Sequence, residues 1–216
     1  MSNRPTFRYR VEFAKTAAMR FTGHLDLHRT WERTFRRAEL PLTYTQGFSP
    51  HPRMTLAAAL PLGCTSEHDL IDVWLNEGEP PEAVEDRLQS AAPPGIRIDR
   101  VMAVDPAGPS LPRQVLAAEY HARSAGFPPA DEIDRRVQAA LAAESLPRTR
   151  RGKEYDLRPL IEALGYDREE DQLTMRLSAR EGASGRPDEV LEALGLDPAL
   201  AIATRTRLIL KNDVSA

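Results

Sequence analysis

Residues 7–15 (FRYRVEFAK) set Phe7, Tyr9, Val11 and Phe13 on one side and Arg8, Arg10 and Glu12 on the other, the period-two pattern of a half-buried strand. The period then lengthens. Over 25–39, Leu27, Trp31, Phe35 and Ala38 recur at helical spacing, which predicts an amphipathic helix ended by Pro41. Two apolar segments, 54–60 (MTLAAAL) and 69–76 (DLIDVWLN), predict strands separated by a turn over 61–66. Residues 80–91 open with prolines, which the first turn of a helix tolerates, and 95–104 (GIRIDRVMAV) alternate again as a strand. The order is β-α-β-β-α-β.

The second half repeats that order without visible likeness of sequence. Strand 115–124 precedes helix 130–144, strand-like pieces within 146–164, strand 172–180, a short helix 187–194 and strand 203–210. Over 146–164 the pattern fits a hairpin followed by a helical turn. Prolines and a glycine in 106–114 predict a linker with neither strand nor helix. The expectation is therefore an α+β chain of two tandem ferredoxin-like βαββαβ units with antiparallel sheets, 1–105 and 115–216.

The 216 residues are 41% hydrophobic and 28% charged, the composition of a globular protein. No apolar run reaches the roughly 18 residues that cross a bilayer, and the first residues lack a signal peptide's apolar stretch, so a cytoplasmic location is expected. A single cysteine, Cys64, excludes an internal disulfide and a self-contained iron–sulfur cluster. No cofactor is expected, and radical chemistry would belong to a partner. The net charge of −3 conceals a split: residues 1–53 hold ten Lys/Arg against four Asp/Glu, and the rest 19 against 28. That split suggests an anionic partner for the first part, although a basic face is often merely solvated.

The densest chemistry lies in residues 23–53 (GHLDLHRTWERTFRRAELPLTYTQGFSPHPR). His24 and Asp26 start the helix, where backbone N–H groups are unpaired; Asp26 serves either the helix end or His24 and a ligand. Arg29, Arg33 and Arg36 follow at i, i+4 and i+7 with Arg37 beside them, a ridge that suits successive phosphates. In the loop, Tyr44 and Phe48 suit stacking on unpaired bases, with Gln46, His51 and Arg53 at sugar or phosphate. Phe48 has the alternative of plugging a gap between helix and sheet. Arg148, Arg150, Arg151 and Lys153 form a second basic cluster in a hairpin or loop. For catalysis the candidates are His24, Asp26 and His51, with no identifiable nucleophile. The pairs His24/His28 and Cys64/His68 have metal-ligand spacing, but nothing in the sequence brings them together, and no metal site is assigned.

His24-Leu25-Asp26, Arg36-Arg37-Ala38, Leu40-Pro41, Tyr44, Gly47-Phe48-Ser49-Pro50-His51-Pro52, Leu60-Pro61-Leu62-Gly63 and Tyr155-Asp156-Leu157-Arg158-Pro159-Leu160 resemble a bacterial family of radical SAM-linked proteins without an established activity. The likeness extends over nearly the whole chain, except that Gly23 stands where the family pattern has Ser before the HLD triplet. Members are fused to, or encoded beside, a radical SAM enzyme, which implies such a partner here. The expected function is a non-catalytic accessory module that binds RNA for modification by that enzyme. Tandem ferredoxin-like units also resemble CRISPR RNA-processing endonucleases, so the alternatives are an RNA-processing or RNA-modifying enzyme using His24 or His51, and a protein-only adaptor.

Overall fold

A computed structural model describes residues 6–150 and 152–214. It is a mixed α+β fold in which antiparallel sheet predominates, with five α-helices among the described residues, and the chain divides into two compact units, Met1–Gln114 and Val115–Ala216.

The first unit runs β1 (Phe7–Lys15), α1 (His24–Arg37), β2 (Met54–Leu56), β3 (Thr65–Leu75), α2 (Pro81–Ala91), β4 (Ile96–Val104) and α3 (Leu111–Gln114). Its strands lie in the order β4-β1-β3-β2, all antiparallel. The alternation of β1 buries Tyr9, Val11 and Phe13, and the stripe of α1 sets Leu27, Trp31 and Phe35 against them with Val84 and Leu88 of α2. Phe13 meets Trp31 edge-on, 4.7 Å between ring centroids. Both rings are fully buried, and truncating either would cost about 3–5 kcal/mol.

Helix α1 stops before Pro41. Arg37 is its last residue, and Glu39 takes a left-handed conformation, φ 53°. The terminal carbonyls are taken up from α2: Arg87 Nε donates to Ala38 O at 2.7 Å, another of its nitrogens to Glu39 O, and Glu79 holds the guanidinium at 2.8 Å.

Three expectations need correction here. Arg8 does not face solvent: it is 2% exposed, paired with buried Asp72 (2.9 Å from Nε), and donates to the Gly108 and Pro109 carbonyls. A buried guanidinium needs this full set of acceptors. Strand β2 spans three residues rather than 54–60. The expected linker contains α3, with Leu111 fully buried and Pro112 in the first turn, where its missing N–H is harmless.

The second unit runs β5 (Val115–Arg123), α4 (Ala130–Ala142), β6 (Pro147–Arg150), β7 (Lys153–Asp156), β8 (Ile161–Asp167), β9 (Gln172–Arg180), β10 (Ala183–Ser184), α5 (Pro187–Ala193) and β11 (Ile202–Leu210). The strand order β11-β5-β9-β8 is again antiparallel, with β10 a short addition to β9. Strands β6 and β7 form a separate hairpin, and Arg158–Leu160 makes a 3₁₀ turn before β8.

Candidate functional site

The two termini of α1 lie at opposite ends of the first unit's sheet. Phe7 pairs with Leu75 at one end and Lys15 with Ser66 at the other, so nine residues of β1 separate them by about 27 Å. His24 belongs to the Lys15 end: buried Lys15 Nζ donates to the carbonyls of Thr22 (3.0 Å) and Cys64 (3.0 Å), which ties the approach to α1 to the 61–64 turn. Asp26 does not cap the helix. Gly23 is the N-cap, without a side chain to bond, and Asp26 instead meets Arg29 at 3.3 Å, both about two-thirds exposed. Phe21, Leu25 and Leu62 are exposed at this end, which their places in the sequence did not announce.

The loop 43–53 stands at the other end. Thr43 N donates to Trp74 O (2.8 Å), Trp74 N to Arg53 O (3.0 Å), and Arg53 N to Thr43 O (2.7 Å), a three-way junction at the end of β3. The loop then rises as a short stem: Tyr44 bridges Pro52, Thr45 N donates to His51 O at 2.8 Å, and His51 N donates to Thr45 Oγ1 at 3.1 Å. Gln46–Pro50 form the tip, turned by Gly47 at φ 132°, which a residue with a Cβ adopts only under strain.

Phe48 at that tip is fully exposed, so it does not plug the gap between helix and sheet. Tyr44, Gln46, His51 and Arg53 are exposed around it, Tyr44 to 43%. The Arg53 guanidinium lies 4.4 Å from the centroid of the buried Trp74 ring, and Arg8 lies 5.0 Å from the same ring. This contact fixes the direction of Arg53 while leaving its N–H groups to solvent. Trp74 is thus a support for the site that the sequence reading missed, because the contact depends on the pairing of β3 with β1 and on the return of the loop to β3.

Arg33 and Arg36 are exposed on α1 and have no ion-pair or hydrogen-bond partner among the described residues. Arg37 donates to Ala91 O beside an open cleft of about 640 Å³ between the C-terminal ends of α1 and α2. His51 lies two residues from the Trp74 junction and His24 two residues beyond the Thr22 carbonyl that Lys15 holds, so they stand toward opposite ends of β1. The structure does not bring these two histidines into one site.

The cluster of the second unit is arranged differently. Arg150 donates from Nε to Glu189 at 2.8 Å and from its other nitrogens to Glu189, Ser184 O and the Tyr155 hydroxyl, and it stacks over Tyr155 at 4.8 Å. Burial pushes the Tyr155 hydroxyl up to about 12, with help from Glu189. Burial also presses the Glu189 carboxyl upward, but the Arg150 and Tyr155 hydrogen bonds and the nearby guanidinium charges overcome it and hold it below its ordinary value. Arg150 is therefore a structural ion-pair partner rather than an available cation. Arg148 is half-buried and bonds Pro147 O, Lys153 is exposed, and Arg151 lies outside the described residues.

Among the described residues no group of three or more His, Cys, Asp or Glu side chains could hold a metal ion, and no helix is long and apolar enough to cross a membrane.

The class defined by these features is an α+β protein with an exposed aromatic loop and an arginine-bearing helix. Within it, the chain belongs to a family of uncharacterized proteins conserved in bacteria, DUF2344, whose model matches residues 8–187. No curated protein matches the chain. Among solved structures it is similar to an unknown protein from Galdieria sulphuraria at 15% identity and a TM-score of 0.29, over 95% of this chain and 100% of that one, a likeness too slight to define a shared fold.

Proposed function

We propose that this chain is a non-catalytic RNA-binding module of two ferredoxin-like units that serves a radical SAM enzyme in RNA modification. The observation that carries the RNA reading is Phe48, held fully exposed at the tip of a hydrogen-bonded stem where a core residue would be covered. An exposed, pre-ordered aromatic is a stacking platform for an unpaired base, worth about 1–3 kcal/mol per base. Arg53 and the α1 arginines supply the cations for the backbone that such a base belongs to. The strand orders β4-β1-β3-β2 and β11-β5-β9-β8 support the ferredoxin-like description of each unit. The enzyme partner rests on the motif resemblance alone.

The test is titration of the purified chain with a labelled single-stranded oligoribonucleotide at several salt concentrations. Micromolar binding that weakens steeply with salt and falls roughly tenfold on Phe48→Ala is the expected result. Binding of equal strength in Phe48→Ala overturns the stacking role. Cleavage or modification of the RNA by the chain alone would overturn the non-catalytic reading. Recovery of a radical SAM enzyme together with RNA on the tagged chain from its native cells is the expected partnership; recovery of the enzyme without RNA would leave only an adaptor.

A further inference from the structure

The second unit has a cleft of about 400 Å³ on the sheet face opposite buried Tyr120, Leu173 and Met175. Strand register builds it. Gly165, Thr174, His121 and Thr204 stand in one cross-strand row, and Ala163, Arg176, Glu119 and Arg207 in the next. Members of a row project to the same face. Ala163 and Gly165 keep the floor of the cleft low; a Cβ at Gly165 would stand 3.2 Å from Thr174 Oγ1. On β11 the pairing slips between Arg205 and Arg207, and Thr206 at the slip lines the cleft.

Four polar side chains in this cleft, Glu119, His121, Thr174 and Thr206, are half-buried and have no hydrogen-bond or ion-pair partner among the described residues. Their basic neighbours do have partners. Arg176 pairs through Nε with Glu162 at 3.1 Å, Arg207 meets Asp213 at 3.7 Å, and Arg123 binds Glu170 at 2.7 Å. Cross-strand pairing ordinarily satisfies charges on a sheet face, so a carboxylate left over among paired arginines calls for donors from outside.

Those donors are hydroxyls in the simplest chemistry. The two oxygens of a carboxylate accept from adjacent hydroxyls of a sugar, as acidic residues do with ribose, while imidazole and threonine hydroxyls both donate and accept. Arg176 binds Glu162 through Nε, which leaves its terminal nitrogens at the rim for an anion. The volume lies in the range of small-molecule sites. We propose that the cleft binds a ribose phosphate, with Glu119 on the vicinal hydroxyls, His121 and Thr174 on the ring side, and Arg176 on the phosphate. The ligand's source is a free mononucleotide or the terminal nucleotide of an RNA. This site does not depend on the Phe48 reading.

Calorimetric titration of the full chain with ribose 5-phosphate, AMP and a short oligoribonucleotide ending in a free diol tests it. Saturable submillimolar binding is expected, at least about tenfold weaker for 2-deoxyribose 5-phosphate and at least about tenfold weaker in Glu119→Gln, because a site built on a hydroxyl rejects the analogue lacking it. Gly165→Val fills the cleft and is expected to abolish binding. Should that variant fail to fold, Thr174→Val, which keeps the volume, still loses binding severalfold. Tighter binding of AMP than of the oligonucleotide assigns a free ligand, and the reverse assigns an RNA end. No heat at millimolar probe, equal affinity in Glu119→Gln, or equal competition by inorganic phosphate overturns the proposal.

Discussion

Two arginine clusters that look alike in the sequence have different physical situations. On α1, Arg33 and Arg36 face solvent with no ion-pair partner among the described residues; in the β6–β7 hairpin, Arg150 is bound on several sides by Glu189, Ser184 and Tyr155. The difference is the acid. Glu189 is 39 residues from Arg150 in the chain and reaches it through α5, whereas the α1 acids Asp26 and Glu32 pair with Arg29 and His28. A count of positive residues therefore overstates the charge that the second cluster offers to solvent, and in the first it leaves Arg33 and Arg36 as the unpaired cations among the described residues.

The comparison predicts its strongest contrast in RNA affinity. Arg33→Glu with Arg36→Glu should weaken single-stranded RNA binding about 100-fold and lower the slope of log affinity against log salt by about two, measured by fluorescence anisotropy. Phe48→Ala should weaken binding roughly tenfold, the loss of one stacked base, and leave the thermal midpoint unchanged because the ring touches nothing that folding buries. Arg150→Ala should do the opposite: RNA affinity within twofold of the parent, and stability lower by about 2 kcal/mol, read in urea unfolding, because Glu189 keeps its burial and loses its partner. If Arg150→Ala weakens RNA binding as much as the α1 pair does, the contrast between the clusters is broken.

Acid titration sharpens the same point. The folded Glu189 carboxyl lies below its ordinary 4.5, so its contribution is present above that value and lost as pH falls through the folded one; the stability gap between parent and Arg150→Ala should close in that acid window. Tyr155 has the reverse sign. Its hydroxyl, raised from 10.0 to about 12, contributes stability below 10 that is lost as pH rises toward 12. The smallest effect is expected at Gly23, which caps α1 in an extended conformation with open space around it: Gly23→Ser should raise stability by a few tenths of a kcal/mol and leave RNA affinity unchanged.

Local pattern was enough to read most elements, since burial of one face imposes period two on β1 and helical spacing on α1, and those periods are written in Tyr9–Phe13 and Leu27–Phe35. It failed where a distant partner decides. Arg8 reads as a solvent-facing strand residue, yet Asp72 and the 105–109 carbonyls bury it from 64 to 101 residues away. The exposure of Phe48 depends on a stem tied at Trp74, and the spread of His24 and His51 to opposite ends of the sheet depends on which end of β3 receives the loop. The Glu119–His121 cleft depends on the register of four strands, which no single segment encodes. Turn chemistry misled once, at 106–114, where prolines suggested an unstructured linker and one of them, Pro112, instead lies in the first turn of α3.

Photocrosslinking of a thiouridine-bearing single-stranded RNA to the full chain, with the attached peptides mapped by mass spectrometry, tests the central claim most directly. Crosslinks in the 44–53 loop and on the exposed face of α1, absent from 147–156, are the result this account predicts. Crosslinks concentrated in the 147–156 hairpin, or none at RNA concentrations that saturate binding, would contradict it.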